Sequence, residues 1–512
     1  MSGDSETLQD RAIAFLASGA RDLAHPELAR LRLRFELAQV QLAEPMRVAI
    51  VGAIKAGKST LMNALLGKAI VPTARLVLTY NVNRFYYTEG EAYLAVRFKD
   101  DTYQRRPFSE LEAFVTQCEA SKAFQDNIWY VDVFYPHPLL KQFQLIDTPG
   151  LESCIESDSS RTRELLVAQE SRPHAVVFLF EKSFSARIME EVDRFHDACG
   201  SLMSGITAIA CLSKADCLTR GFADAEAVIC QDTHMFPRLR RAFYTIMPIA
   251  AQLDLAGQLL GDDDLVGLRA LAALPAELYE DVLADAESFY RQPYEGEPAV
   301  PHVEARARLY ARLGWPVVPF ACGVLRAEPR TTRDELARWL REGSGLGRLL
   351  QTLERHFGQR AALIKLKATL DGIRQEGHEL QYRVSPPGRV ALGDALARLD
   401  EFVSREQMFR EYGVLEDYYN GRVMLTDGQI RDLLNVTGEH GDSPHERLAV
   451  PPGATTGALL AAAERKHRYW RVLANDITKS QVVQDVARVI SDSYAGLMAR
   501  LHSNDGLPRR EP

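Results

Sequence analysis

At 512 residues the chain is long enough for roughly two to four domains. Its hydrophobic content of 46% and charged content of 25% are those of an ordinary globular protein. The net charge of −8 argues against a protein whose main work is gripping nucleic acid, because neutralising phosphates takes a clear excess of Lys and Arg. No nucleic-acid partner is therefore expected.

The opening Met1-Ser2-Gly3-Asp4-Ser5-Glu6 is acidic and polar and reads without a signal peptide or myristoylation site. From 6 to 43 apolar residues recur at helical spacing (Leu8, Ala12, Phe15, Leu16, then Leu28, Leu31, Phe35, Leu42), which predicts one or two amphipathic helices broken near His25-Pro26. Between about 46 and 255 strands alternate with helices, the pattern of an α/β layered fold. The expected strands are 48–52, 81–87, 92–98, 128–134, 143–147, 175–180, 207–212 and 245–250. Beyond 255 strand signals nearly vanish, and helices are expected over 265–290, 302–313, 332–342 and 345–376. Pro386-Pro387-Gly388 and the stretch from Pro444 to Pro452 read as breaks. The last helix carries one stripe of Val483, Val486, Ile490, Tyr494, Leu497 and Leu501, thickened by Val482, Val489 and Met498, and predicts a bundle core. The longest uncharged apolar run, 313–325, contains Pro316 and Pro319 and falls short of the roughly 20 residues a membrane-spanning helix needs.

The chemistry concentrates in four places. Gly52-Ala53-Ile54-Lys55-Ala56-Gly57-Lys58-Ser59-Thr60 lies between the apolar run Arg47-Val48-Ala49-Ile50-Val51 and Leu61-Met62-Asn63-Ala64-Leu65-Leu66. Strand, G-x-x-x-x-G-K-S loop and helix in that order make a phosphate-binding loop, whose backbone N–H groups and following helix dipole form a concave anion site. Lys58 would reach the β- and γ-phosphates and the Ser59 hydroxyl would ligate Mg²⁺. Asp147-Thr148-Pro149-Gly150 ends an apolar strand, where Asp147 can hold the Mg²⁺ hydration shell and the Gly150 N–H can sense the γ-phosphate. Ser213-Lys214-Ala215-Asp216 follows another apolar strand. Asp216 can accept hydrogen bonds from guanine N1–H and N2, which adenine cannot offer, and the Lys214 stem would lie over the base. Of two candidate Mg²⁺-capping threonines, Thr73 and Thr79, the latter is preferred, 21 residues after Lys58 and just before the strand at 81. For the loop that closes over the base, Pro248-Ile249-Ala250-Ala251 is preferred over Pro316-Val317-Val318-Pro319-Phe320-Ala321.

These motifs resemble the dynamin superfamily of large GTPases, and within it the bacterial dynamin-like proteins. The resemblance rests on Gly57-Lys58-Ser59-Thr60-Leu61-Met62-Asn63-Ala64-Leu65-Leu66-Gly67, Pro72-Thr73, Leu78-Thr79-Tyr80-Asn81-Val82, Asp147-Thr148-Pro149-Gly150-Leu151 and Ser213-Lys214-Ala215-Asp216. It implies GTP and GDP as ligands with Mg²⁺, and an α/β P-loop head (a mixed, mainly parallel sheet flanked by helices) on an α-helical neck built from both chain ends. The implied domains are neck helices over 1–45, the GTPase domain over 46–255, a helical insert over 256–344 and a C-terminal helical bundle over 345–512. It also implies head-to-head dimers or higher oligomers, a paired dynamin-like partner, and peripheral contact with lipid at the inner face of the cell membrane by an otherwise cytoplasmic protein. Two departures stand out. Ser213 occupies a position where Asn or Thr is usual, and no hydrophobic paddle is evident.

Leu151 follows Asp-x-x-Gly where small GTPases carry a water-orienting glutamine, so water placement falls to backbone groups, the Thr79 loop or a second molecule. Lys55, the fourth loop residue, is a candidate for charge on the transition state, because the related guanylate-binding group projects an arginine from that place. Two other readings stay open: a GTP-binding scaffold with little hydrolysis in a hetero-assembly, and a regulatory GTPase of ribosome or RNA biology, which the acidic balance disfavours.

Overall fold

The computed structural model describes residues 7–53, 55–71, 82–100, 102–115, 127–148, 173–186, 188–190, 192–193, 205–218, 221–236 and 238–505. Nine strands among the described residues form one sheet: β1 Met46–Gly52, β2 Val82–Tyr87, β3 Tyr93–Phe98, β4 Tyr103–Pro107, β5 Ile128–Tyr135, β6 Phe143–Asp147, β7 Ala175–Glu181, β8 Ala208–Ser213 and β9 Ile246–Pro248. Their order is β4-β3-β5-β2-β6-β1-β7-β8-β9. From β6 to β9 every pairing is parallel, while β2 runs antiparallel to β6 and β3 antiparallel to both β4 and β5. All seven residues of β1 are buried, as befits a central strand covered on both faces. The eight expected strands are present, with ends within two residues of those expected. β4 was not expected: four of its five residues are exposed, so Tyr-Gln-Arg-Arg-Pro shows no apolar alternation, which an edge strand does not need.

The N-terminal helices α1 (Leu8–Asp22) and α2 (Ala29–Ala43) flank a short turn of 3₁₀-helix at Pro26–Leu28. Thr7 and Asp10 cap α1 reciprocally, satisfying orphan N–H groups of its first turn. Both helices join the C-terminal half. Arg34 pairs with Glu376 at 2.7 Å, Arg11 with Glu406 at 2.7 Å, and the Lys365 ammonium donates to the Leu42 and Glu44 carbonyls at 2.6 and 2.7 Å. The neck is thus assembled from both chain ends.

The helical half departs from expectation in detail. The stretch 265–290 is three helices, Asp262–Ala272, Ala276–Val282 and Ala286–Arg291, the last capped by Asp285. Pro386 and Pro387 open the helix Pro386–Arg405, because proline is tolerated in a first turn whose N–H groups have no helical partner. A π-helical segment, Leu353–Gly358, leads into the long helix Gln359–Leu380. Residues 250–340 bury a core of their own, from Ala250 and Leu253 to Leu336 and Leu340. In the last helix, Gln481–Asp505, Val486, Ile490, Tyr494, Leu497 and Leu501 are buried as the stripe predicts, and Val482 is exposed. No helix among the described residues is long and apolar enough to cross a membrane.

Candidate functional site

The loop after β1 leads into α3 (Lys58–Leu65), whose first residue is the motif lysine. Two glycines make the turn possible. Gly52 has φ 156°, and a Cβ there would stand 2.4 Å from the Leu179 carbonyl oxygen of β7. Gly57, at the helix N-cap, has φ 93°. Lys58 is buried, 7% exposed, and its ammonium donates to the carbonyls of Gly52 and Ala53 at 3.1 and 3.0 Å. That curls the lysine back under its own loop. Lys55 is the opposite case: exposed, and held at φ 66° where a non-glycine residue is strained. Ala56 is buried, with its N–H on the Ala53 carbonyl, and Ser59 and Thr60 are half-buried on the first turn of α3.

Asp147 ends β6, next to β1, in register with Ile50. It is fully buried, and no described group meets either carboxylate oxygen in full hydrogen-bond geometry. Burial pushes its pKa up to about 6, while the Lys58 charge and the nearby Asn83 side chain, in register with it on β2, pull the other way. Thr148 follows, its hydroxyl donating to the Ile50 carbonyl at 2.9 Å, which locks the strand end to β1. Ile54, Thr73, Thr79, Gly150 and Leu151 lie outside the described residues.

Two strands from β1 along the same sheet edge, β8 delivers the second cluster. The Ser213 hydroxyl donates to the Phe180 carbonyl at 3.1 Å, Lys214 takes the left-handed conformation at φ 56°, and Ala215 N–H donates to the Ile249 carbonyl at 3.1 Å. Asp216 is partly exposed, yet its Oδ2 is buried without a hydrogen-bond partner among the described residues, and burial raises its pKa to about 6 against its own backbone N–H and Lys214. The Ala215–Ile249 bond puts Pro248-Ile249-Ala250 beside Asp216. The rival Pro316–Ala321 segment lies in and just before the helix Val317–Ala327, within the separate core of the insert.

Some residues here carry no local sequence signal. Asn63 of α3 is fully buried. Its amide donates to the Val71 carbonyl at 2.7 Å, and its oxygen accepts from Ile70 and Val71 N–H at 2.8 and 2.7 Å. The helix that starts at the phosphate loop therefore holds the chain where it enters 72–81. Gln258, from the helix Ala251–Leu259, donates to the Ala64 carbonyl at 2.9 Å, and Ala250 N–H donates to Ser344 at 2.8 Å. One helix thus touches the base-side loop at its start and α3 near its end.

Phosphate loop after β1, carboxylate after β6 and base-side residues after β8 share one edge of a mainly parallel sheet, the layout of a P-loop GTPase head. Residues 48–206 match the family model described as Dynamin family. Residues 48–206 thus carry a domain of the dynamin family, and the chain is similar to bacterial dynamin-like proteins. It is 26% identical over 468 residues to the isoniazid-induced protein IniC of Mycobacterium tuberculosis, spanning 90% of this chain and 92% of that one. It is 30% identical to dynamin-like protein 2 of Campylobacter jejuni over 125 residues, 24% of this chain and 20% of that one. Among solved structures, an oligomerised bacterial dynamin pair described as sensing and tethering membranes at long range aligns over 98% of this chain and 92% of its own, with 12% identity and a TM-score of 0.37.

Proposed function

We propose that the protein binds and hydrolyses GTP with Mg²⁺ and couples its nucleotide state to self-association at a membrane surface. The observation that carries this reading is Asp147. A fully buried carboxylate that no described residue meets in full hydrogen-bond geometry is costly, and a divalent cation beside the phosphate loop is the natural group to satisfy it. Ser59, Asp147 and Thr79 are the residues that would hold Mg²⁺, which when bound supplies positive charge to the β- and γ-phosphate oxygens.

The chain's own residues do the rest. Backbone N–H groups from Ala53 to Thr60 cradle the phosphates, and Lys58 turns from the Gly52 and Ala53 carbonyls onto the β- and γ-oxygens. Asp216 takes the guanine edge, Lys214 lies along its face, and Ala250 closes the base-side rim. With Leu151 unable to orient water, placement of the attacking water falls to the Thr79 loop and the Gly150 N–H, ordered by a second head across the nucleotide. Lys55 stands at the crown of the loop, where its ammonium meets the developing charge or the partner head. The partner is a second copy or a paired dynamin-like protein.

Membrane contact has a concrete candidate in the turn between the helices Thr456–Ala474 and Gln481–Asp505. Ile477 there is 92% exposed, and Val472 and Val482 are also exposed, flanked by exposed Arg468, Arg471 and Lys479. An exposed apolar residue with cations around it fits an anionic bilayer, the neighbouring Asp476 being turned onto Thr478. Co-sedimentation with anionic vesicles, run without nucleotide, with GDP and with a non-hydrolysable GTP analogue, tests the proposal. Pelleting is expected to be strongest with the analogue, and equal pelleting in all three states would refute nucleotide control.

A further inference from the structure

The ends of β7 and β8 are fastened together in a way the assigned chemistry does not require. Glu181, the last residue of β7, stands in register with Ser213, the last of β8. Both strands leave the sheet through left-handed lysines, Lys182 at φ 67° and Lys214 at φ 56°. From there the Lys214 ammonium reaches back over β7 to Glu181 Oε1 at 2.5 Å. Both side chains are open to solvent, 45% and 34% exposed, so a ligand can lie against them.

We propose that Glu181 is a positioning residue for base recognition, holding the Lys214 stem flat along the path the nucleotide takes; this rests on the guanine-nucleotide reading of the site. The sheet order supplies the reason. β7 lies between β1, which leads into the phosphate loop, and β8, which leads into Asp216. Neighbouring strands are just under 5 Å apart, so phosphate loop and base pocket are about 10 Å apart with the end of β7 midway. A nucleotide spanning them must cross above Glu181. Drawing the ammonium toward β7 points the lysine from the base pocket toward the phosphates and lays its methylenes under the base and sugar.

Glu181 also keeps Lys214 off Asp216. Asp216 is two residues from Lys214, and its buried Oδ2 is without a hydrogen-bond partner among the described residues. The Lys214 charge already acts on that carboxylate, and a lysine released from β7 and paired there would occupy the acceptor that guanine needs. Glu181 is therefore the competing anion that leaves Asp216 free for the ligand.

The test is a double-mutant cycle on the full chain, reading affinity for fluorescent GDP in Mg²⁺. Glu181→Gln keeps shape and removes charge. It should weaken GDP binding about threefold to fivefold, the upper range for a solvent-exposed ion pair, raising KM for GTP with kcat at saturation unchanged. In a Lys214→Met background the same substitution should have no effect, because the residue it positions is gone. An equal loss in both backgrounds would overturn the proposal, showing that Glu181 acts only on the local fold. Asp216→Asn separates the two levels: its amide can donate to the C2 carbonyl of xanthine, so preference should pass from GDP to xanthosine diphosphate. If that switch occurs and Glu181→Gln is silent, the positioning role fails alone; if the switch fails, the guanine reading fails with it.

Discussion

Glu439→Gln is the perturbation whose cost can be worked most directly from the structure. Glu439 follows the helix Asp427–Val436, and its side chain is 1% exposed. Its carboxylate accepts from the Arg360 guanidinium at 2.6 Å and lies 3.2 Å from His356 Nδ1. His356 Nε2 donates to the Ile206 carbonyl at 2.7 Å, Tyr244 stacks on the same imidazole at 3.7 Å, and Arg360 also donates to the Thr437 carbonyl at 3.1 Å. One carboxylate thus ties the end of the sheet near β8 and β9 to the long helix and the C-terminal bundle. Burial alone would raise its pKa, but the His356 hydrogen bond and the Arg360 charge outweigh burial and hold it far below the usual carboxylate range. Removing one member of a buried ion pair costs about 3–5 kcal/mol, and because the amide oxygen still accepts from Arg360 the expected loss is at the low end, about 3 kcal/mol at pH 7. Urea unfolding followed by tryptophan fluorescence measures it. Since the folded-state pKa is depressed, the parent's advantage is full above the unfolded value of 4.5 and shrinks as pH falls below it. A loss under about 1 kcal/mol, within reach of a surface pair, would refute the reasoning, as would a gap that stays constant from pH 7 to pH 3.5.

Four further outcomes are expected. Lys58→Ala removes a charge-assisted phosphate contact worth roughly 1.5–3 kcal/mol, so nucleotide affinity should fall at least about tenfold by equilibrium titration. Lys55→Ala should cut turnover by about tenfold with GTP affinity nearly intact, and Lys55→Arg should keep part of the activity, if its charge acts only in the transition state. If Lys55 sits in the dimer interface instead, Lys55→Ala shifts the protein concentration at which activity rises, and parent-like behaviour in both variants rejects both roles. Gly52→Ala drives a methyl against the Leu179 carbonyl at a φ of 156°, so it should lower the melting temperature and nucleotide affinity together. Ile477→Asp should reduce pelleting with anionic vesicles while leaving GDP affinity unchanged; undiminished pelleting would remove the hairpin turn from the account.

The parts of the head legible in the sequence were those whose chemistry is local. A fully buried β1 next to a glycine loop and an apolar helix is written in consecutive residues, as is the Asp147 strand end. β4 was missed because an exposed edge strand needs no apolar alternation, and the helix at Pro386 was read as a break because proline marks helix starts as readily as interruptions. The helical insert was legible as helices but not as a body with its own core, since that depends on contacts between distant segments. Asn63, Gln258 and Glu181 gave no signal for the same reason: their partners lie 7 to 194 residues away, and no spacing rule reaches them. The exposed Ile477 is a single apolar residue in a polar turn, so only the surrounding hairpin makes it a surface feature.

The central claim is guanine recognition by Asp216 at the end of β8, and its most direct test is competitive binding of GDP and ADP to the intact protein in Mg²⁺. A buried acceptor that only guanine satisfies predicts a preference for GDP on the order of 100-fold or more, abolished by Asp216→Asn. Equal affinity for the two nucleotides in the parent protein would contradict the account.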